Sequence, residues 1–98
     1  MEADARIWRL SACARLHWLV FEENHILFNA ASGQTHILNE LGAAIVHLLE
    51  NAALTPAEVS RQLVAQYAEL SLTPELHAAI DGLLVELDTL GLIEPGSM

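Results

Sequence analysis

The hydrophobic period of this chain changes once, at Asn39. Up to Leu38, apolar residues alternate with polar ones or run in short β-branched and aromatic stretches. From Leu41 to Leu90 they recur every three or four positions. A period of two belongs to pleated strands and one near 3.6 to helices, so the order is strands first and helices second. That is an α+β arrangement, and 98 residues leave room for a single core.

In the strand half, Ile7-Trp8-Arg9-Leu10 reads as a short first strand. Leu16-His17-Trp18-Leu19-Val20-Phe21 fits a largely covered strand. Glu22-Glu23-Asn24 is a polar turn, and His25-Ile26-Leu27-Phe28 is its hairpin partner. Asn29-Ala30-Ala31-Ser32-Gly33 makes a second turn with Gly33 free to take a positive φ, and Thr35-His36-Ile37-Leu38 completes a three-stranded antiparallel meander.

Asn39 is placed to cap a first helix that runs to about Glu50, with Leu41, Ile45, Leu48 and Leu49 on one face. Thr55-Pro56-Ala57-Glu58 opens the second helix with a capping hydroxyl, a proline at the first helical position and a glutamate three residues on. Its buried stripe is Val59, Leu63 and Tyr67. The third helix starts at Thr73-Pro74-Glu75 and carries Leu76, Ile80, Leu83, Leu84, Leu87 and Leu90. Gly91 stops it, and Leu92-Ile93-Glu94-Pro95 closes the chain. The layout is winged-helix-like, with the wing at the N-terminal end.

Charge excludes whole classes of function. Thirteen carboxylates face four arginines (Arg6, Arg9, Arg15 and Arg61), with no lysine, for a net charge of -9. Nucleic-acid binding depends on basic groups that displace condensed counterions, and no helix here supplies them. The third helix carries Glu75, Asp81, Glu86 and Asp88 with only His77 to offset them. Anionic membranes are disfavoured on the same ground. No apolar run approaches the roughly 20 residues that cross a bilayer, and the acidic start is unlike a signal peptide; a cytoplasmic protein is expected.

Catalytic signatures are missing. His17, His25, His36, His47 and His77 have no metal-binding helical spacing, although the first three could meet on one face of the meander. Cys13 has only Arg15 nearby to activate it. The five glycines lie too far apart to form a phosphate or dinucleotide loop. The expectation is a protein without enzymatic activity, cofactor or metal.

If the meander is sequential, its last strand lies at an edge that carries no proline and no charge beyond a titratable His36. Such an edge accepts another strand readily. Its occupant is a bound peptide, the domain's own N-terminus or a second copy.

The run at positions 35–45, Thr-His-Ile-Leu-Asn-Glu-Leu-Gly-Ala-Ala-Ile, resembles the strand-to-helix junction of the PqqD family. Leu54-Thr55-Pro56-Ala57-Glu58-Val59 is similar to that family's next segment, and Leu87, Leu90 and Gly91-Leu92-Ile93 to its last. Trp18, Phe28 and Ser32-Gly33-Gln34-Thr35-His36 look closest to the branch associated with a protein related to HPr kinase. The resemblance covers about residues 7–94 and treats 1–98 as one domain.

It implies a peptide chaperone, also called a recognition element for ribosomally made, post-translationally modified peptides. Such a protein holds the leader of a precursor peptide and presents it to a modifying enzyme, here a kinase-related one. Carried onto this chain, the leader pairs with Thr35, His36, Ile37 and Leu38 and lies against Leu76, Ile80, Leu83 or Leu87 of the third helix. The family shows polar or basic groups near its groove, whereas this third helix is acidic, so a basic or neutral leader suits it better. The alternative is a homodimeric or scaffold protein that docks a kinase-like partner without binding free peptide.

Overall fold

The computed structural model describes residues 6–96. Five strands and three helices follow in the order β1 (Trp8–Leu10), β2 (Leu16–Phe21), β3 (Asn24–Asn29), β4 (Gln34–Leu38), α1 (Glu40–Asn51), α2 (Pro56–Gln66), α3 (Pro74–Thr89) and β5 (Ile93–Pro95). The expected meander is present, as an antiparallel sheet in the order β2-β3-β4.

Each helix starts where its capping residue dictates. Gly42 N donates to Asn39 Oδ1 at 2.7 Å. At α2 the reciprocal box is complete: Glu58 N donates to Thr55 Oγ1 at 3.2 Å, and Thr55 N to Glu58 Oε1 at 2.8 Å. Leu76 N donates to Thr73 Oγ1 at 3.1 Å. The end of α3 is set by Gly91, whose φ of 82° lets the chain reverse. Gly91 N then donates to Asp88 O and Leu92 N to Leu87 O, which satisfies two terminal carbonyls.

That reversal produces the one strand the sequence did not announce. Leu92 and Ile93 return into the core, and β5 pairs antiparallel with β1, with Arg9 opposite Glu94. Arg9 Nη2 and Glu94 Oε2 lie 2.9 Å apart. On the other side of β1, Trp8 N donates to Leu54 O and Leu54 N to Trp8 O, at 2.8 and 3.0 Å. Strand β1 is therefore held between β5 and the α1–α2 connection, apart from the meander.

The core gathers one face of everything. Leu27 and Leu38 come from the meander, Ile45, Val46 and Leu49 from α1, and Val59 and Leu63 from α2. Ile80, Leu84 and Leu87 come from α3, and Trp8, Leu92 and Ile93 from the terminal strands. Tyr67, expected to end the α2 stripe, caps that helix and is only partly buried against the cluster.

The meander is braced by Asn29. Its buried Oδ1 accepts from Arg15 N at 3.0 Å and Ala31 N at 3.1 Å, which joins the start of β2 to the β3–β4 turn. The β2–β3 turn is less relaxed, because Glu22 sits at φ 60° without being glycine. A side chain there costs about 1 kcal/mol, of which glycine's larger unfolded-state entropy returns part. Glu22→Gly is therefore expected to raise stability by up to about 1 kcal/mol, read as the shift in urea midpoint at constant slope; a fall would mean that the Glu22 side chain has a structural partner.

Candidate functional site

The free edge of β4 follows from the hairpin geometry. Phe21 and Asn24 close a two-residue turn, and such a closing pair exchanges backbone hydrogen bonds. Bonding then alternates, so Asn24, Ile26 and Phe28 direct their backbone groups to β2, and His25, Leu27 and Asn29 direct theirs to β4. Those three pair with Leu38, His36 and Gln34. By the same alternation the N–H and C=O groups of Thr35 and Ile37 point away from the sheet. Among the described residues no strand pairs with them.

Side chains alternate in the opposite sense. Leu38 is buried and His36 half-buried on the helix side, while Thr35 and Ile37 stand on the outer face. His36 Nε2 is shielded from solvent and has no hydrogen-bond partner among the described residues. An incoming strand would lie next to this nitrogen.

Beyond Leu38 the edge runs into the start of α1, where α3 also arrives. Gly42 makes the convergence possible. A Cβ built there would lie 3.8 Å from Leu38 Cβ, 3.9 Å from Leu83 Cδ2 and 3.1 Å from Asn39 Oδ1. Of the four α3 residues singled out from the sequence, Leu83 is the half-buried one that reaches this junction; Leu76, Ile80 and Leu87 lie in the core, at 8%, 0% and 1% exposure.

The surroundings are acidic. A shallow recess of about 630 Å³ opens at the Leu38 end of β4, lined by Val20, His25, Ile37 and three carboxylates, Glu22, Glu23 and Glu40. A smaller hollow of about 180 Å³ between α1 and the end of α2 has Leu41, Ala44, Tyr67 and Leu70 as its apolar lining and Glu40 and Glu69 as its charged groups.

Other candidate chemistry disperses. His17 is on the outer face of the meander, opposite Phe28, whereas His25 and His36 lie on the helix side, so the three histidines do not meet. Among the described residues no group of three or more histidines, cysteines or carboxylates could hold a metal ion. Cys13 is exposed and free. No helix among them is long and apolar enough to cross a membrane.

Two features were missed from sequence. Trp18 Nε1 donates to Glu50 Oε2 at 2.9 Å, and the His47 ring stacks on the indole at 4.1 Å, tying β2 to α1. A half-buried tryptophan needs a partner for its N–H, which is the only sequence signal for this clamp. The second is the outer face itself. The sequence suggested a largely covered β2, yet Leu19 and Phe21 are exposed, because the helices pack on one side of the sheet only.

With this geometry in hand, the comparisons with known proteins are specific. Residues 24–93 match the family described as coenzyme PQQ synthesis protein D (PqqD), and the chain belongs to that family. Two solved structures share the fold. "TbiB1 in Complex with the TbiA(beta) Leader Peptide" superposes with a TM-score of 0.67 at 20% identity, over 92% of this chain and 99% of that one. "Lasso peptide synthetase B1 complexed with the leader peptide" gives 0.62 at 27% identity, over 90% and 98%. No curated protein sequence matches significantly.

The Gly42 junction can be tested directly. Gly42→Val forces methyl groups into the space between Leu38, Asn39 and Leu83, and overpacking of this kind costs about 1–3 kcal/mol. The expected result is that loss in urea unfolding, with the Leu83 methyl resonances displaced; wild-type stability would show that α3 can retreat freely from β4.

Proposed function

We propose that this protein is a non-catalytic peptide chaperone. It binds the leader segment of a ribosomally made precursor peptide as a fourth strand on β4 and presents it to a modifying enzyme. The observation that carries the reading is the unpaired backbone of Thr35 and Ile37 on an edge that ends at the Gly42–Leu83 junction. Membership of the PqqD family and a fold shared with two proteins solved with leader peptides support it.

Strand addition supplies affinity through main-chain bonds and selectivity through alternate side chains. On the helix side a leader residue would lie beside His36, and the next would approach Leu83. Leu76, Ile80 and Leu87 hold α3 in position from behind. Past Leu38 the leader would enter the recess of Glu22, Glu23 and Glu40, which favours a basic residue there and makes binding weaken with salt. The enzyme served is, on the resemblance to the HPr kinase-associated branch, a kinase-related protein.

The test is an NMR titration of labelled protein with synthetic peptides covering the N-terminal halves of short reading frames encoded nearby. Shifts should concentrate at the amides of Thr35, His36, Ile37 and Leu38 and at the Leu83 methyls. Ile37→Pro removes an edge donor without touching the β3–β4 ladder, so it should weaken binding at least tenfold, about 1.4 kcal/mol, while leaving the helical resonances in place. Undiminished affinity in that variant would rule out strand addition on β4.

A further inference from the structure

A turn shapes the hollow at the end of α2. Tyr67 leaves the helix in an extended conformation, and Leu70 N donates back to Tyr67 O at 3.0 Å, with Glu69 exposed inside that turn. Tyr67 and Leu70 line the hollow with Leu41 and Ala44 of α1, and its charged groups are Glu40 and Glu69. Among the described residues neither carboxylate has an ion-pair partner.

That lining selects a chemistry. Apolar walls alone would take an aliphatic or aromatic group, and carboxylates alone a hydrated cation. A ring, apolar walls and two carboxylates together fit lysine or arginine, whose stem packs on apolar surface while its cationic head favours a ring face and a carboxylate. At about 180 Å³ the hollow is smaller than the roughly 300 Å³ at which clefts for free small molecules begin, so one side chain fills it. A group that small binds weakly alone, and far better when the rest of its chain is already held nearby.

Glu40 supplies the continuity. It lines both this hollow and the acidic recess at the Leu38 end of β4. A peptide paired with β4 that continues past Leu38 crosses the recess and meets the hollow next. A second copy pairing through its own β4 has nothing to offer there. The residues that flank that strand, Asn-Ala-Ala-Ser-Gly at 29–33 and Asn-Glu-Leu-Gly-Ala-Ala-Ile-Val at 39–46, contain no lysine or arginine. Approaching by another face, it would set -9 against -9, with Arg9 already tied to Glu94 and Arg6 over the Trp8 ring.

We infer that the hollow is a leader subsite: it takes one lysine or arginine side chain from the part of the leader beyond the Leu38 end of β4. The stem lies on Leu41, Ala44 and Tyr67, and the charge lies with Glu40 and Glu69. The inference rests on the chaperone reading above and adds a requirement on the leader, a basic anchor outside the segment that forms the fourth strand.

The probe is the synthetic peptide that shifts Thr35, His36, Ile37 and Leu38 in the titration above, with versions in which each lysine or arginine in turn is glutamine. It is titrated into wild type, Glu69→Lys, Glu69→Gln and Asp88→Lys, the last repeating the charge change on an exposed residue of α3. The methyls of Leu41, Ala44 and Leu70 should shift along with the β4 amides. Glu69→Lys should weaken the peptide about tenfold and Glu69→Gln by a smaller part, while Asp88→Lys stays within about twofold because a distant charge is screened. One glutamine peptide should bind wild type about fivefold more weakly and no longer distinguish wild type from Glu69→Gln, the signature of a direct pair. Equal affinity in Glu69→Lys and wild type, an equal loss in Asp88→Lys, or silent hollow methyls while β4 shifts would each overturn the subsite and leave the chaperone reading standing. So would a bound peptide with no lysine or arginine outside its paired segment, or a wild-type dimer in sedimentation that Glu69→Lys dissolves. Absence of β4 shifts with every peptide would strike the chaperone reading itself.

Discussion

The pairing of β1 with β5 and Leu54 decides what the rest of the molecule can do. A short N-terminal strand next to a three-stranded meander has an obvious destination, the nearest free edge. Here the two Trp8–Leu54 hydrogen bonds and the Arg9–Glu94 ion pair hold it elsewhere. The exposed ion pair contributes little by itself. Trp8, Leu92 and Ile93, all buried in the core, contribute more, because each fully buried large side chain is worth about 1.5–3 kcal/mol. Strand β1 is thus committed to the helical side of the protein, and among the described residues nothing pairs with the outer edge of β4.

The same economy of cover shapes the two faces of the meander. The helices have one common apolar side, and it is consumed by Leu27, Leu38 and the terminal strands. Nothing remains among the described residues to shield Leu19, Phe21 and Ile37. Edge and outer face meet in Ile37, whose backbone belongs to the first and whose side chain belongs to the second.

Much of this was legible in the sequence, for identifiable reasons. The period change at Asn39 separated sheet from helices, and cap-plus-proline at Thr55-Pro56 and Thr73-Pro74 placed two helix starts to the residue. The free edge followed from the order of the strands. The face of α3 did not. A stripe such as Leu76, Ile80, Leu83 and Leu87 looks the same whether it fills a core or lines a groove, and only the arrival of Leu83 at Gly42 distinguishes one member from its neighbours. Strand β5 escaped because three residues after a glycine stop carry no period. The outer face was encoded in the alternation of Leu19, Phe21, Ile26 and Phe28, but an apolar residue on a strand is read as buried until the helices are seen to lie on the other side.

An exposed edge with an apolar face beside it is ordinarily an invitation to aggregate, and proteins guard such edges with lysine, proline or bulges. This chain has no lysine, and β4 has no proline. Its guard is its net charge: repulsion between copies at -9 acts on every encounter between identical molecules. A local guard on β4 would block any incoming strand. A global one discriminates by partner, opposing a second acidic copy while admitting a neutral or basic segment, with the carboxylates of Glu22, Glu23 and Glu40 at the end of the track. The acidity that argues against nucleic-acid binding thus also keeps identical open edges apart.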